Sequence, residues 1–272
     1  MHEPGDTSDD AFIGGRLRLL QPRRGHRAGH DALLLAASVA AQWNDTVVDL
    51  GAGVGAAGFA VAARVPGIDL TLVEIDSEIC ALASENAVRN RITARIVNAD
   101  VTDRASLDVV EVVAGSAAAV LMNPPFNDAR RHQASPDDGR REAHMACAAT
   151  LKTWTETALR LLKPRGTLTL IWRAEGLSDV LEALENGFGG LIVQPVHATP
   201  DRPAVRILVR AVKGSRAPLS ILPGLALDGT DAVVQRALTG EGALPLAECD
   251  AGNKARVSVT AMPSRSNARG EP

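Results

Sequence analysis

Thr46-Val47-Val48-Asp49-Leu50-Gly51-Ala52-Gly53-Val54-Gly55 is the stretch on which the fold turns. Its first five residues are a mostly apolar, partly β-branched run. Three alternating glycines follow, and then the small-residue segment Ala56 to Arg64. The pattern reads as a buried strand, a sharp turn and a helix. Glycine lets a backbone turn tightly and approach a ligand closely, and the next helix points its free amides at the same place. A structural glycine turn would use the same residues. The acid ending the following strand separates the two readings: Glu74 lies 23 residues after Gly51, where a carboxylate can accept both ribose hydroxyls of an adenosine-containing cofactor.

Outward from this stretch, strands and helices alternate. Strands are predicted over residues 46–50, 69–73, 94–98, 117–122, 167–172, 191–197 and 204–212. Helices are predicted over 31–39, 56–64, 77–90, 143–162 and 177–185, the fourth closed by Lys163-Pro164-Arg165-Gly166. Such alternation means a mainly parallel sheet covered on both faces. After Lys213 the pattern weakens to a strand at 219–222 and a helix at 231–238, with a polar tail from Gly252 expected to move freely. The expected organisation is an N-terminal extension and basic hairpin over 1–28, the α/β domain over 29–213, and an appendage over 214–272.

The apolar run Ala117 to Met122 ends abruptly at Asn123-Pro124-Pro125-Phe126. Proline fixes its own φ and restrains its predecessor, so the row is stiff. It presents an amide, two carbonyls and an aromatic ring at the C-terminal end of a strand, where open α/β sheets bind ligands. A strand-ending turn is the plainer alternative. Gly53-Val54-Gly55-Ala56-Ala57-Gly58 also satisfies the dinucleotide fingerprint, with Glu74 about 20 residues on. Three features oppose NAD. Asp49 sits inside the turn, where a carboxylate suits a cation better than a pyrophosphate. Asp100 offers an acceptor for an adenine amino group, and the Asn123 row has no role in hydride transfer. An adenosine cofactor carrying an ammonium and a sulfonium, S-adenosylmethionine, fits better.

Asp49 to Gly55, Glu74, Asp100 and Asn123-Pro124-Pro125-Phe126 resemble, in order and spacing, the first four motifs of class I S-adenosylmethionine methyltransferases. Gly29-His30-Asp31-Ala32-Leu33-Leu34-Leu35-Ala36-Ala37, after an arginine-rich segment, further resembles the bacterial tRNA(Val) adenine-N(6) methyltransferase family. The likeness runs from about Arg16 to Val212, and more loosely to Leu244. It departs at His30, where that family usually has Thr, and at Phe126, where Tyr is common. The resemblance implies a Rossmann-like, seven-stranded methyltransferase sheet with helices on both faces and an antiparallel C-terminal hairpin. It also implies cofactor contacts from Asp31, Asp49, Gly51, Gly53, Gly55, Glu74, Asp100 and Asn123. Catalytic roles would fall to Asn123 and Pro124, as acceptors for the protons of a substrate amine, and to Phe126, stacked on the base. The implied activity is methyl transfer to an exocyclic amine of RNA, foremost adenine N(6) in tRNA. The same chemistry on a protein glutamine or an rRNA guanine is the alternative, and a catalytically silent cofactor- or RNA-binding module is an alternative of another class.

Composition limits the partners. With 46% hydrophobic and 22% charged residues, the 272-residue chain is ordinary globular material. No run approaches the roughly 18 apolar residues of a membrane span, and the acidic N-terminus is unlike a secretory signal. Cys80, Cys147 and Cys249 form no CxxC pair, so reduced thiols in a cytoplasmic protein are expected, with neither disulfides nor a zinc site. A net charge of −3 requires any RNA to be held by a local patch. The acid-free segment with Arg16, Arg18, Arg23, Arg24 and Arg27 reads equally as a solvated arginine face or as that patch, and in the second reading Arg23, Arg24 and Arg27 are expected to hold phosphates. Residues 127–142 read as a polar loop suited to a lid over the substrate. Trp43, Trp154 and Trp172 are expected in the core.

Overall fold

The computed structural model describes residues 7–24, 27–125 and 138–249. A hairpin opens the chain, with β1 (Thr7–Phe12) antiparallel to β2 (Leu17–Pro22). Alternation follows: α1 (His30–Ser38), β3 (Thr46–Leu50), α2 (Ala56–Arg64), β4 (Asp69–Glu74), α3 (Ser77–Arg89), β5 (Arg95–Asn98), α4 (Arg104–Val109) and β6 (Ala117–Met122). The chain continues through α5 (Asp138–Leu161), β7 (Leu162–Arg173), α6 (Leu177–Leu184), β8 (Phe188–His197) and β9 (Ala204–Lys213). Short elements close it: β10 (Ser220–Ile221), β11 (Leu225–Ala226), α7 (Ala232–Leu238) and α8 (Pro245–Glu248).

Strands order as β10-β8-β9-β7-β6-β3-β4-β5, with β11 also on β8. From β7 to β5 the pairs are parallel, whereas β9 runs antiparallel to both β7 and β8. The seven expected strands and the antiparallel end are therefore present. The two-residue strands β10 and β11 extend the sheet along β8.

Side chains alternate across the sheet with a period of two. Val47, Leu70, Leu72, Ala119 and Leu121 pack with α1 and α2, while Val48, Leu50, Val73, Val120 and Met122 pack with α5. Phe12, Leu17 and Leu19 of the hairpin and Val234, Leu244 and Leu246 of the last segment join the α1-side cluster. The hairpin and the appendage thus share one core with the α/β domain.

Several local expectations need correction. Lys163-Pro164-Arg165-Gly166 is not a turn between helix and strand but an irregularity inside β7. Partners step from Ala117↔Leu162 to Ala119↔Thr167, and Arg165 takes up a φ of 68°. Helix α5 begins at Asp138, so the end of the expected polar loop is helical, and residues 126–137 lie outside the described residues. Trp43 is 72% exposed and lies against Gly67 on the surface, although Trp154 and Trp172 are buried. Apolar neighbours in sequence do not bury a residue that sits in a connecting loop. The tail from Gly252 is likewise outside the described residues.

Candidate active site

Register aligns the ends of four strands. Leu50 pairs with Val73 on one side and Met122 on the other, and Glu74 pairs with Asn98. One residue further on, the chain leaves the sheet at Gly51, Asn123 and, past Asn98, Asp100. These groups form one rim at the C-terminal ends of the parallel strands, the place where such sheets bind ligands.

The glycine turn is held from three sides. Gly51 has φ 66°, and a Cβ there would come within 2.4 Å of the Trp154 ring. Gly53 has φ 56° and open space beyond its Cα. Its N–H donates to Glu74 Oε2 at 2.9 Å, while Asp76 N–H donates to Glu74 Oε1 at 3.0 Å. Glu74 therefore ties the turn to the end of β4. Asn98 Nδ2 donates to the carbonyls of Glu74 (3.1 Å) and Ile75 (2.7 Å), fixing the end of β5 against β4. Asp100 Oδ1 accepts from both the N–H (2.8 Å) and the hydroxyl (2.7 Å) of Thr102.

Asp49 takes another place than a carboxylate lining the turn. Period-two alternation puts it on the face of Val47, under α2, and only 2% of it is exposed. Its Oδ2 accepts from Gly58 N–H at 2.9 Å. Burial pushes its carboxyl up to about 7; the Gly58 hydrogen bond opposes this, and the charge of Glu74 adds to it. In this geometry Asp49 braces the helix that carries the turn.

Asn123 is half-buried, and its Oδ1 is buried with no hydrogen-bond partner. Buried acceptors are almost always paired, so an orphan at a strand's C-terminal end marks a place for a ligand group. Pro124 is buried behind it and Pro125 is exposed. Phe126 lies outside the described residues. Asp31, at the N-terminus of α1, accepts from Arg206 Nε at 2.9 Å. Two residues at the rim escaped the sequence reading as site residues. Trp154 covers Gly51, and Ile75, next to Glu74, is 64% exposed and offers an apolar surface at the rim. An isoleucine directly after the strand-ending acid was the available signal for the second.

The basic segment is less positive than its own residues suggest, because β1 brings acids to it. Asp9 pairs with Arg18 (3.1 Å) and Arg89 (2.7 Å), and Asp10 pairs with Arg27 (2.5 Å). The hydrogen bond from Arg18 holds the Asp9 carboxyl below its ordinary value. Arg23 and Arg24 are exposed at the end of β2. A cleft of about 390 Å³ lies here, between Phe12, Arg27, His30 and Leu238.

The fold that sets the glycine turn, the strand-ending acid and the orphaned amide on one rim is that of an S-adenosylmethionine-dependent methyltransferase. Residues 28–194 match the methyltransferase small domain family, and the chain belongs to it. A tRNA1(Val) (adenine(37)-N6)-methyltransferase from Dyadobacter fermentans is 28% identical over 183 residues, 66% of this chain and 72% of that protein. A release factor glutamine methyltransferase from Chlorobaculum tepidum is 24% identical over 198 residues, 70% of this chain and 67% of that protein. Among solved structures, a predicted O-methyltransferase from Agrobacterium tumefaciens is 31% identical with a TM-score of 0.65. That match covers 79% of this chain and 98% of the other. The chain is thus an enzyme, and S-adenosylmethionine is its cofactor. Among the described residues, no helix is long and apolar enough to cross a membrane.

Glu74 is expected to matter for cofactor affinity beyond its bracing of Gly53. Glu74→Ala should weaken S-adenosylhomocysteine binding by about 1.5–3 kcal/mol, the range for hydrogen bonds to a charged group. Titration calorimetry on a variant with a native-like melting curve checks this. Unchanged affinity would leave Glu74 as a brace of the turn alone.

Proposed function

We propose that the enzyme methylates an exocyclic amino nitrogen of RNA, with adenine N(6) of tRNA as the foremost target. The observation that carries this reading is the unpartnered, buried Oδ1 of Asn123 at the end of β6. S-adenosylmethionine, when bound, supplies a methyl group on a positively charged sulfur. The chain's task is to make a poor nucleophile attack it. An exocyclic amine is poor because its lone pair is delocalised into the ring. Asn123 Oδ1 and the Pro124 carbonyl accept its two protons, favour a tetrahedral nitrogen and aim the lone pair at the methyl carbon. The nitrogen would take the methyl group as the S–C bond breaks with its pair left on sulfur, giving S-adenosylhomocysteine; these fixed acceptors would face the positive charge growing on nitrogen, and a proton would then leave to solvent. Phe126, next in the row, is assigned to stacking on a base taken out of its helix or loop.

Two acceptors side by side suit an NH2 group, whereas a hydroxyl has one proton to give. That favours nitrogen over the oxygen named for the Agrobacterium tumefaciens protein. The tRNA target has its support in the Dyadobacter fermentans relative's name. The free thiols Cys80, Cys147 and Cys249 suit a reducing cytoplasm. A protein glutamine is the second reading, favoured by the relative from Chlorobaculum tepidum and by the NH2 of its amide. Incubation with methyl-labelled cofactor and separate pools of tRNA, rRNA and ribosomal and release-factor protein tests the reading. Label in N(6)-methyladenosine of tRNA is expected. Label in guanosine or glutamine moves the same chemistry to another substrate, and no label in any pool ends the proposal.

Arg23, Arg24 and Arg27 are assigned to the RNA backbone. Changing all three to Ala is expected to leave S-adenosylhomocysteine binding intact. It should lower the slope of log affinity for tRNA against log salt by up to about 0.7–0.9 for each phosphate that is no longer neutralised. Because Asp10 already pairs with Arg27, that residue should contribute least to the reduction. A filter-binding salt titration decides this, and an unchanged slope removes the segment from the site.

A further inference from the structure

Apart from Asp31 on α1, the groups assigned to the cofactor alone stand at the ends of β3, β4 and β5, and Asn123 stands at the end of β6. The next part of the rim, where β7 ends and β9 begins, is therefore the substrate half of the site. Here Arg173 and Arg206 are direct partners in the antiparallel β7–β9 register. Direct cross-strand partners lie roughly 4.5–5.5 Å apart at Cα, and like charges so placed repel. Both follow the alternation of Ile171 and Leu208, which belong to the α1-side cluster, so both side chains leave the sheet on the face covered by α1.

Their compensation is unequal. Arg206 Nε donates to Asp31 at 2.9 Å, and its Nη1 donates to the carbonyl of Val205 at 3.0 Å. Arg173 has a loose ion pair with Glu175, 3.5 Å away, and the Glu175 side chain is 77% exposed. The Nε of Arg173 is buried with no hydrogen-bond partner. Two opposed guanidinium groups, one with an unused buried donor, lie beside the row that would hold the reacting nitrogen. Neither belongs to the hydrophobic core, and Arg173, unlike Arg206 with its bond to Asp31, touches no group assigned to the cofactor. A guanidinium fork matches two phosphate oxygens, and the repulsion between two such groups is relieved when an anion enters between them.

We infer that Arg173 and Arg206 form a phosphodiester subsite on the substrate side of Asn123, with Arg173 as its principal donor. It takes the backbone phosphate adjoining the nucleotide to be methylated. The assignment rests on the RNA reading above and deepens it: a phosphate held at the end of β7, the strand next to β6, would register the target base over Asn123.

The test compares wild type with Arg173→Gln, Arg173→Lys and Arg206→Gln, using unfractionated bacterial tRNA and S-adenosylhomocysteine as probes. Arg173→Gln should bind tRNA roughly tenfold or more weakly, as for loss of a hydrogen bond to a charged group. Its salt slope should fall by about 0.7–0.9, with S-adenosylhomocysteine affinity unchanged. Arg173→Lys keeps the point charge and should keep most of the slope. Arg206→Gln should lower the slope too. It also frees Asp31, so it is read only with its melting curve beside it. Equal slopes in wild type and Arg173→Gln overturn the subsite while leaving an RNA substrate standing. So do equal losses in the Gln and Lys variants, since charge would then be irrelevant. If wild type neither binds nor methylates RNA while glutamine is labelled, the RNA reading and the subsite fall together.

Discussion

Asn123→Ala is expected to slow methyl transfer roughly 100- to 1,000-fold, the cost of losing one preorganised acceptor for developing charge. S-adenosylhomocysteine affinity should fall far less, because the acceptor is needed mainly as nitrogen becomes positive. Stability gives an independent sign. Asn123 Oδ1 is already buried and unpartnered, so deleting it removes a desolvated group with no bond to lose, and the melting temperature should hold or rise. A structural Asn, tying down the turn after β6, would behave in the opposite way, with lower melting temperature and intact turnover. Single-turnover transfer from labelled cofactor to the tRNA pool, set beside calorimetry and a thermal melt, separates the two. Near wild-type turnover would reduce Asn123-Pro124-Pro125 to a strand-ending turn.

The order of elements was legible because the central strands of the parallel region are short apolar runs bounded by glycine, proline or a charged residue. Thr46 to Leu50 and Ala117 to Met122 are such runs, and both lie in the middle of the sheet. The positions of Glu74 and Asn123 followed from this, since a strand's end and the rim of a parallel sheet are the same place. Relations between distant segments were not legible. Arg27 looked uncompensated in an acid-free stretch, yet Asp10 meets it across the hairpin. Arg206 and Asp31 are 175 residues apart in sequence and 2.9 Å apart in space. The pairing of Arg173 with Arg206 depends on the register of an antiparallel pair, which no local pattern sets. Lys163-Pro164-Arg165-Gly166 carries strong turn chemistry, and β7 absorbs it as an irregularity because both flanking segments pair with β6. The face of Asp49 could have been read, since Val47 and Asp49 are two apart in one strand.

That face makes the stability of the enzyme depend on pH in a way one substitution should remove. Buried under α2, Asp49 has its carboxyl pushed from 3.8 up to about 7. At intermediate pH the native state keeps a proton that the unfolded chain has released. Stability from this group is therefore fully present below about pH 4 and is lost as pH rises through 7. The whole displacement corresponds to roughly 4 kcal/mol, of which about 3 kcal/mol falls between pH 5 and pH 8. Asp49→Asn keeps an oxygen for Gly58 N–H but cannot ionise, so its urea midpoint should change less with pH than that of wild type. The expected difference is a decline in wild-type stability from pH 5 to pH 8 that exceeds the variant's by up to that amount. Urea unfolding of both proteins at pH 5, 6, 7 and 8 measures it. Parallel profiles would mean that Asp49 is ionised in the native state, with the Gly58 N–H bond outweighing the cost of burial. The same bond ties the consequence to the site. Gly58 stands in the helix that follows Gly51, Gly53 and Gly55, so the cost of burying a charge on Asp49 falls directly beneath the mounting of the turn. S-adenosylhomocysteine, which binds only the folded turn, should then raise the melting temperature of wild type by mass action at either pH.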